Sequence, residues 1–398
     1  MNGAAGDQPR QADADPATVA VPPMPSVVVP PVPSVAVAPV DRIDRWFAAV
    51  RQCDVIVSGT RPPTMRERLH EWDVDARADA YGDGPVTTLE ERVARLLGKP
   101  AAVFFPTGTM AQQVALRCWA GRTGNPTVAV HPLSHLEVHE RRAYATLTGL
   151  RSVWPTTAAR QPTAADIRTL DEPFGTLLVE LPLRDPGFLL PTWDELVDLT
   201  SAARERGARV HLDGARLWET TPFLGQDLAT IAGLADSVYV SFYKTLGGTS
   251  GAALAGPADF VAEARAWRHR YGGNVFQQWP AALSAMAGIE TILPAIGSYV
   301  EHAAAVAAVL AQLPGARVHP SPPHTHQFQL WLPYPADVLT EAGFALAAEE
   351  KIWFTGFWTD VPPTGFSYTE ITVAAPALEL SPATISDAAT AFYARLPT

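Results

Sequence analysis

Lysine is scarce in this chain. It occurs three times in 398 residues, as Lys99, Lys244 and Lys351, and arginine supplies the other 27 of 30 basic side chains. Chemistry that needs an amine nucleophile therefore has three candidates. Cysteine is scarcer still: Cys53 and Cys118 lie far apart and form no CxxC pair. That excludes a disulfide scaffold and a cysteine zinc site, and predicts a reducing, cytoplasmic compartment. No basic block offsets the net charge of -11, which argues against nucleic acid or an anionic membrane as partner. No run of about 18 consecutive strongly apolar residues occurs, so no membrane span is expected.

Apolar material is plentiful. Hydrophobic residues make up 47% and charged ones 18%, enough for one large domain or two. Residues 1–40 hold nine of the 37 prolines. Proline fixes φ and removes a donor, so this segment is expected to be a disordered, polyproline-like tail. Asp7, Asp13 and Asp15 give it the wrong charge for a signal peptide. From about residue 86, helix-like and strand-like patterns alternate. Val86–Leu97, Thr109–Trp119 and Thr192–Arg206 read as helices. AAVFF (101–105), TVAV (127–130), LLVEL (177–181), RVHL (209–212) and SVYVSF (237–242) read as short apolar strands. Such strands predict an α/β fold, a mostly parallel sheet covered by helices on both faces. The large domain is expected over 41–293 and a smaller α+β domain over 294–398, with a helix at 298–313 and strands at 327–332 and 370–373.

In such a sheet, ligands bind at the carboxyl ends of the strands. Three polar segments fall there. Pro106-Thr107-Gly108-Thr109 joins a strand to a helix, where Gly108 lets backbone N–H groups approach an anion. His211-Leu212-Asp213-Gly214-Ala215-Arg216 places an acid at a strand end, able to bond a protonated ring nitrogen, with an arginine for a phenolate. Taken alone, the first is also an ordinary helix cap and the second a capping Asp with a surface Arg. Ser241-Phe242-Tyr243-Lys244-Thr245-Leu246-Gly247-Gly248 places a lysine between an apolar strand and a glycine turn. A poorly hydrated lysine has a lowered pKa and can form a Schiff base. Lys99 lies in a Gly-Lys-Pro turn and Lys351 follows two glutamates, so Lys244 is the buried candidate. Amine, strand-end carboxylate and anion turn are together what pyridoxal phosphate requires.

The motifs YGD (81–83), FFPTGTMAQQVAL, LSHLEVHE, HLDGARLW, the Lys244 segment and WRHRYGG resemble those of the low-specificity threonine aldolases and their β-eliminating lyase relatives. The order and spacing hold over roughly residues 55–290. The resemblance implies a fold-type-I, aminotransferase-like large domain and a homodimer or homotetramer with sites at the dimer interface. It implies Lys244 as the cofactor lysine, Asp213 on the pyridine nitrogen and Arg216 near the ring oxygen. Gly108 and Thr109 belong with the phosphate, Ser241 is a further cofactor contact, and His135 stacks on the ring. Tyr81 and Arg268 or Arg270 would reach a neighbouring subunit's site. His135 and His139 also form an HxxxH with zinc-ligand spacing. Beside the other motifs, stacking by His135 is the better account, with His139 or Glu140 as proton shuttles and no metal.

The chain departs from the family where substrate is bound. The family's late arginine has no counterpart in YTEITV (368–373), and its second histidine has none near ELPLR (180–184). Either another arginine receives the substrate carboxylate, or the substrate lacks a free one. Arg184, just past a strand, is preferred to Arg61. The implied reaction is Cα–Cβ cleavage of a β-hydroxy-α-amino acid to glycine and an aldehyde, or alternatively β-elimination or another aldol-type step on a specialised amino acid. Trp353, Phe354, Phe357, Trp358 and Phe366 read as a packing cluster or an apolar pocket.

Overall fold

A computed structural model describes residues 40–397 apart from 71, 73, 74, 76 and 363. The Pro-rich tail lies outside the described residues except for Val40, which opens the helix Val40–Arg51. A two-residue strand, β1 (Val55–Ile56), follows that helix. Seven strands then build the central sheet: β2 (Ala101–Phe105), β3 (Thr127–Ala129), β4 (Arg151–Val153), β5 (Thr176–Glu180), β6 (Arg209–Gly214), β7 (Ser237–Ser241) and β8 (Ala252–Gly256). Their order is β2-β8-β7-β6-β5-β3-β4. β8 alone runs against its neighbours, pairing antiparallel with β2 and β7.

Both faces of this sheet are covered, and the strand period of two explains how. In β2, Ala102 and Phe104 join one core while Val103 and Phe105 join the other. Each buried Phe contributes roughly 2–3 kcal/mol. One face receives the helices Pro85–Leu96 and Trp193–Glu205, and the opposite face the helices Gly108–Thr123 and Ala258–Arg270. Continuous apolar strands are the sequence mark of this double coverage.

A second layer follows from β9 (Arg317–His319), β10 (Gln327–Leu332), β11 (Ile352–Trp353), β12 (Thr359–Val361) and β13 (Phe366–Thr372). Four of them form an antiparallel sheet in the order β12-β13-β10-β9. β11 instead pairs in parallel with β1, and Cys53, Ile56, Phe344 and Trp353 share a small core. Residues 41–59 therefore pack with this layer, although the sequence grouping sets them with the large domain. Phe354 and Trp358 are buried in the layer's main core, stacked on Phe392. With Trp353, they are packing residues and not a pocket lining.

The layers are joined by Trp279–Leu310, a 32-residue helical run. By length and composition it is apolar enough to cross a membrane, which the sequence reading does not foresee. Its apolar face has partners at both ends. Ala282, Ala285 and Ile289 enter the large core, and Ala303, Val306 and Leu310 the smaller one. A 3-10 turn at Leu293–Ala295 interrupts it, at Pro294.

Candidate active site

The polar groups gather at the carboxyl ends of β5, β6 and β7. Beyond β7, Phe242 is fully buried, and Gly248 N–H donates to its carbonyl at 2.8 Å, closing a loop that presents Lys244. Lys244 is largely enclosed. Burial lowers its pKa, Arg216 lowers it further, and Asp213 and Glu180 oppose the shift. No hydrogen-bond acceptor for its Nζ is found among the described residues. The other lysines are engaged elsewhere: Lys99 donates to the Ala235 carbonyl at 2.6 Å, and Lys351 to Gln52 and the Ala348 carbonyl.

Asp213, 1% exposed, is the penultimate residue of β6 and lies directly opposite Glu180 of β5. Burial raises the Asp213 carboxyl, while Lys244 and His135 pull it back down. Its Oδ1 accepts the Ala215 N–H at 3.1 Å. The Ser241 hydroxyl donates to the Ala215 carbonyl at 2.7 Å, so Ser241 clamps the Asp213–Arg216 turn to β7. Arg216 lies over the Phe188 ring, 5.4 Å from its centroid. Glu180 was not singled out by its sequence, although a lone acid ending an apolar strand is a usable signal. It accepts the His135 N–H at 2.6 Å and the Arg184 N–H at 3.2 Å, and so joins two loops. Burial and Asp213 push it up to about 8.

Thr107 caps the helix Gly108–Thr123, its hydroxyl accepting from Met110 N. Gly108 is required there by Tyr239: a Cβ would overlap the tyrosine hydroxyl and lie 2.9 Å from Cζ. Thr109 stands exposed in the same first turn.

His135 Nδ1 lies 3.2 Å from Glu140 Oε1, and Gln113 donates to Glu140 Oε2 at 3.0 Å. Burial pushes His135 down to about 4, with Lys244 adding to the effect. Burial pushes Glu140 up to about 8. His139 is bonded to Asp185 at 2.9 Å. Arg184 reaches the same corner, its Nη2 2.9 Å from Glu370 and its Nη1 3.5 Å from Asp185.

Other expected residues are engaged differently. Arg61 turns back to the Cys53 carbonyl at 2.5 Å. Arg268 is 2% exposed and donates to the Phe104 carbonyl and to Asn274, so it braces β2 within its own chain and does not project outward. Arg270 is exposed and stacks on Trp267. Tyr81 is 60% exposed and meets Phe276 edge-on at 5.2 Å.

Comparison with known proteins identifies the family. The sequence profile of the Beta-eliminating lyase family matches residues 56–331. The chain belongs to that family. Low-specificity L-threonine aldolase 1 of Arabidopsis thaliana is 27% identical over 65% of this chain and 75% of the relative. The low specificity L-threonine aldolase of Escherichia coli (strain K12) is 33% identical over 53% of this chain, which spans 64% of that relative. A solved Listeria monocytogenes structure, provisionally named an L-allo-threonine aldolase, superposes with a TM-score of 0.82 at 35% identity. It covers 89% of this chain and 99% of its own. The large domain, with its mostly parallel seven-stranded sheet, is a fold-type-I architecture.

Proposed function

We propose that this β-eliminating lyase family member cleaves the Cα–Cβ bond of a β-hydroxy-α-amino acid, giving glycine and an aldehyde, with pyridoxal phosphate as cofactor. The observation that carries this reading is the meeting of Lys244, Asp213 and His135 at the carboxyl edge of the sheet, where Lys244 and Asp213 act electrostatically on one another and both act on His135.

The donor set fits the cofactor. Lys244 offers an amine with a lowered pKa to a carbonyl carbon. Asp213 would face the ring nitrogen and hold its proton. Arg216 would face the ring oxygen. The Gly108 turn would take the phosphate, since Gly108 and the helix it opens present backbone N–H groups without a Cβ. When bound, pyridoxal phosphate supplies the electron sink for charge left on Cα.

The remaining work falls to this chain's own side chains. His135 is neutral at neutral pH. With Glu140 protonated, its O–H bonds Nδ1 and the ring proton sits on Nε2. Loss of the Glu140 proton draws N–H to Nδ1 and frees Nε2 to accept the β-hydroxyl proton. Glu180 positions this loop through the His135 backbone. A homodimer or homotetramer would cover the exposed Tyr81 and Phe276, and the two buried, free cysteines suit a reducing, cytoplasmic setting.

Borohydride treatment of the holoenzyme should fix the cofactor on Lys244 alone. A panel of β-hydroxy amino acids should yield glycine and aldehyde in equal amounts. Label on Lys99 or Lys351 overturns the cofactor assignment. Release of ammonia and a keto acid in place of glycine moves β-elimination into first place.

A further inference from the structure

Arg184 is the cation that shares the corner of Lys244 and His135, and its charge bears on both. It is not free. Its Nη2 donates to Glu370 at 2.9 Å, with Asp185 Oδ1 3.5 Å from Nη1. Its Nε is buried and has no hydrogen-bond partner among the described residues. Glu370 comes from β13 of the smaller layer, whereas Arg184 comes from the turn after β5. The side chains are 29% and 25% exposed, so the pair is neither sealed nor fully hydrated. Asp185 is also bonded to His139. Two carboxylates thus already face one guanidinium.

A carboxylate prefers the side-on edge of a guanidinium, made of Nε–H and the adjacent Nη2. On Arg184 the Nε half of that edge is buried without a hydrogen-bond partner among the described residues, and the Nη2 half is held by Glu370. We propose that Glu370 is a specificity-determining residue that occupies Arg184 until the α-carboxylate of an amino acid displaces it. This rests on the amino-acid reading above and deepens it. An incoming carboxylate that left Glu370 in place would put three anions around one arginine in a half-buried site, which is costly. Binding therefore requires the exchange. A substrate whose carboxyl is masked as an amide gains little from it and is selected against.

The test uses glycine and glycinamide titrated into the wild-type holoenzyme and its variants, read by the change in cofactor absorbance. Glycine has no Cβ to lose, so the readout does not depend on lyase turnover. In Glu370→Gln the glutamine holds Arg184 without charge. Glycine affinity should rise about tenfold, glycinamide affinity should stay within twofold, and Arg184→Gln should erase the preference for glycine. Glu370→Asp, a milder change, should give the same trend more weakly. Thermal melts and Lys244 labelling report whether each variant is folded and loaded. An unchanged or lowered glycine-to-glycinamide ratio in folded Glu370→Gln overturns the exchange while leaving the lyase reading intact. A holoenzyme that binds glycine as proposed but cleaves no β-hydroxy amino acid overturns the lyase reading alone. Absence of any glycine-dependent change in the wild type overturns both.

Discussion

Replacing His326 tests how the two layers are held together next to Lys244. His326 is 4% exposed. Its Nδ1 lies 2.6 Å from the Val373 carbonyl, an acceptor only, so that nitrogen carries a hydrogen. Its Nε2 lies 2.9 Å from Glu219 Oε2, which also accepts the Thr245 hydroxyl at 2.9 Å. Burial alone would lower the imidazole pKa, but the Glu219 charge and hydrogen bond and the Val373 carbonyl outweigh it and leave it raised. His326→Leu leaves Glu219, 0% exposed, with a buried charge and only Thr245 as partner. Breaking such a pair costs about 3–5 kcal/mol. Unfolding entropy of about 2.1 cal/mol/K per residue gives roughly 0.8 kcal/mol/K for a chain this long, hence a fall of about 4–6 °C in Tm. Glu219→Leu with His326→Leu removes both charges and should recover more than half of that. The sign with pH follows from the raised folded-state value. The stabilisation is complete below the unfolded value of about 6.5 and is lost as pH rises through the folded one. The double variant should lack this slope. Thermal melts of the four proteins across pH decide the matter. A double variant losing the sum of the two single losses, or a single variant within about 1 °C of wild type, refutes the coupled pair.

Two further outcomes are expected. Gly108→Ala drives a methyl into Tyr239 and should weaken cofactor rebinding by about tenfold or more, and adding Tyr239→Phe should recover part of it, as read by absorbance titration. For Glu140, pushed up to about 8 by burial, wild-type kcat/KM should rise as pH passes that value, and Glu140→Gln should flatten the limb in a pH–rate profile. Because this folded-state value lies above the unfolded one, wild type also loses stability as pH rises from about 4.5 to 8, a loss the glutamine variant avoids.

Local pattern carried much of this structure. AAVFF ends where β2 ends, and strand-end position together with lysine scarcity isolates Lys244. β8 escaped because AALAG has no β-branched or aromatic residue. Its strand character comes from pairing with β2 and β7, not from propensity. The ion pairs escaped for a different reason. Arg184 and Glu370 are 186 residues apart, and Glu219 and His326 are 107 apart. No spacing rule links residues so distant. Arg184 was legible as a strand-end cation, but its carboxylate partner was not, and that partner changes its meaning from an open receptor to an occupied one.

The parallel pairing of β1 with β11 has a consequence in time. Val55 meets Ile352, and Ser58 accepts a hydrogen bond from Thr372 N. During synthesis at about 5–20 residues per second, the earlier of these segments waits roughly 15–60 seconds for its partner. Over that interval Ile56 and Val57 have no core to enter. The large sheet, complete once β8 emerges, can assemble first, whereas the smaller layer closes last and draws the early segment in with it. A nascent chain stalled after β8 should bury the central sheet yet still expose residues 55–59 to protease.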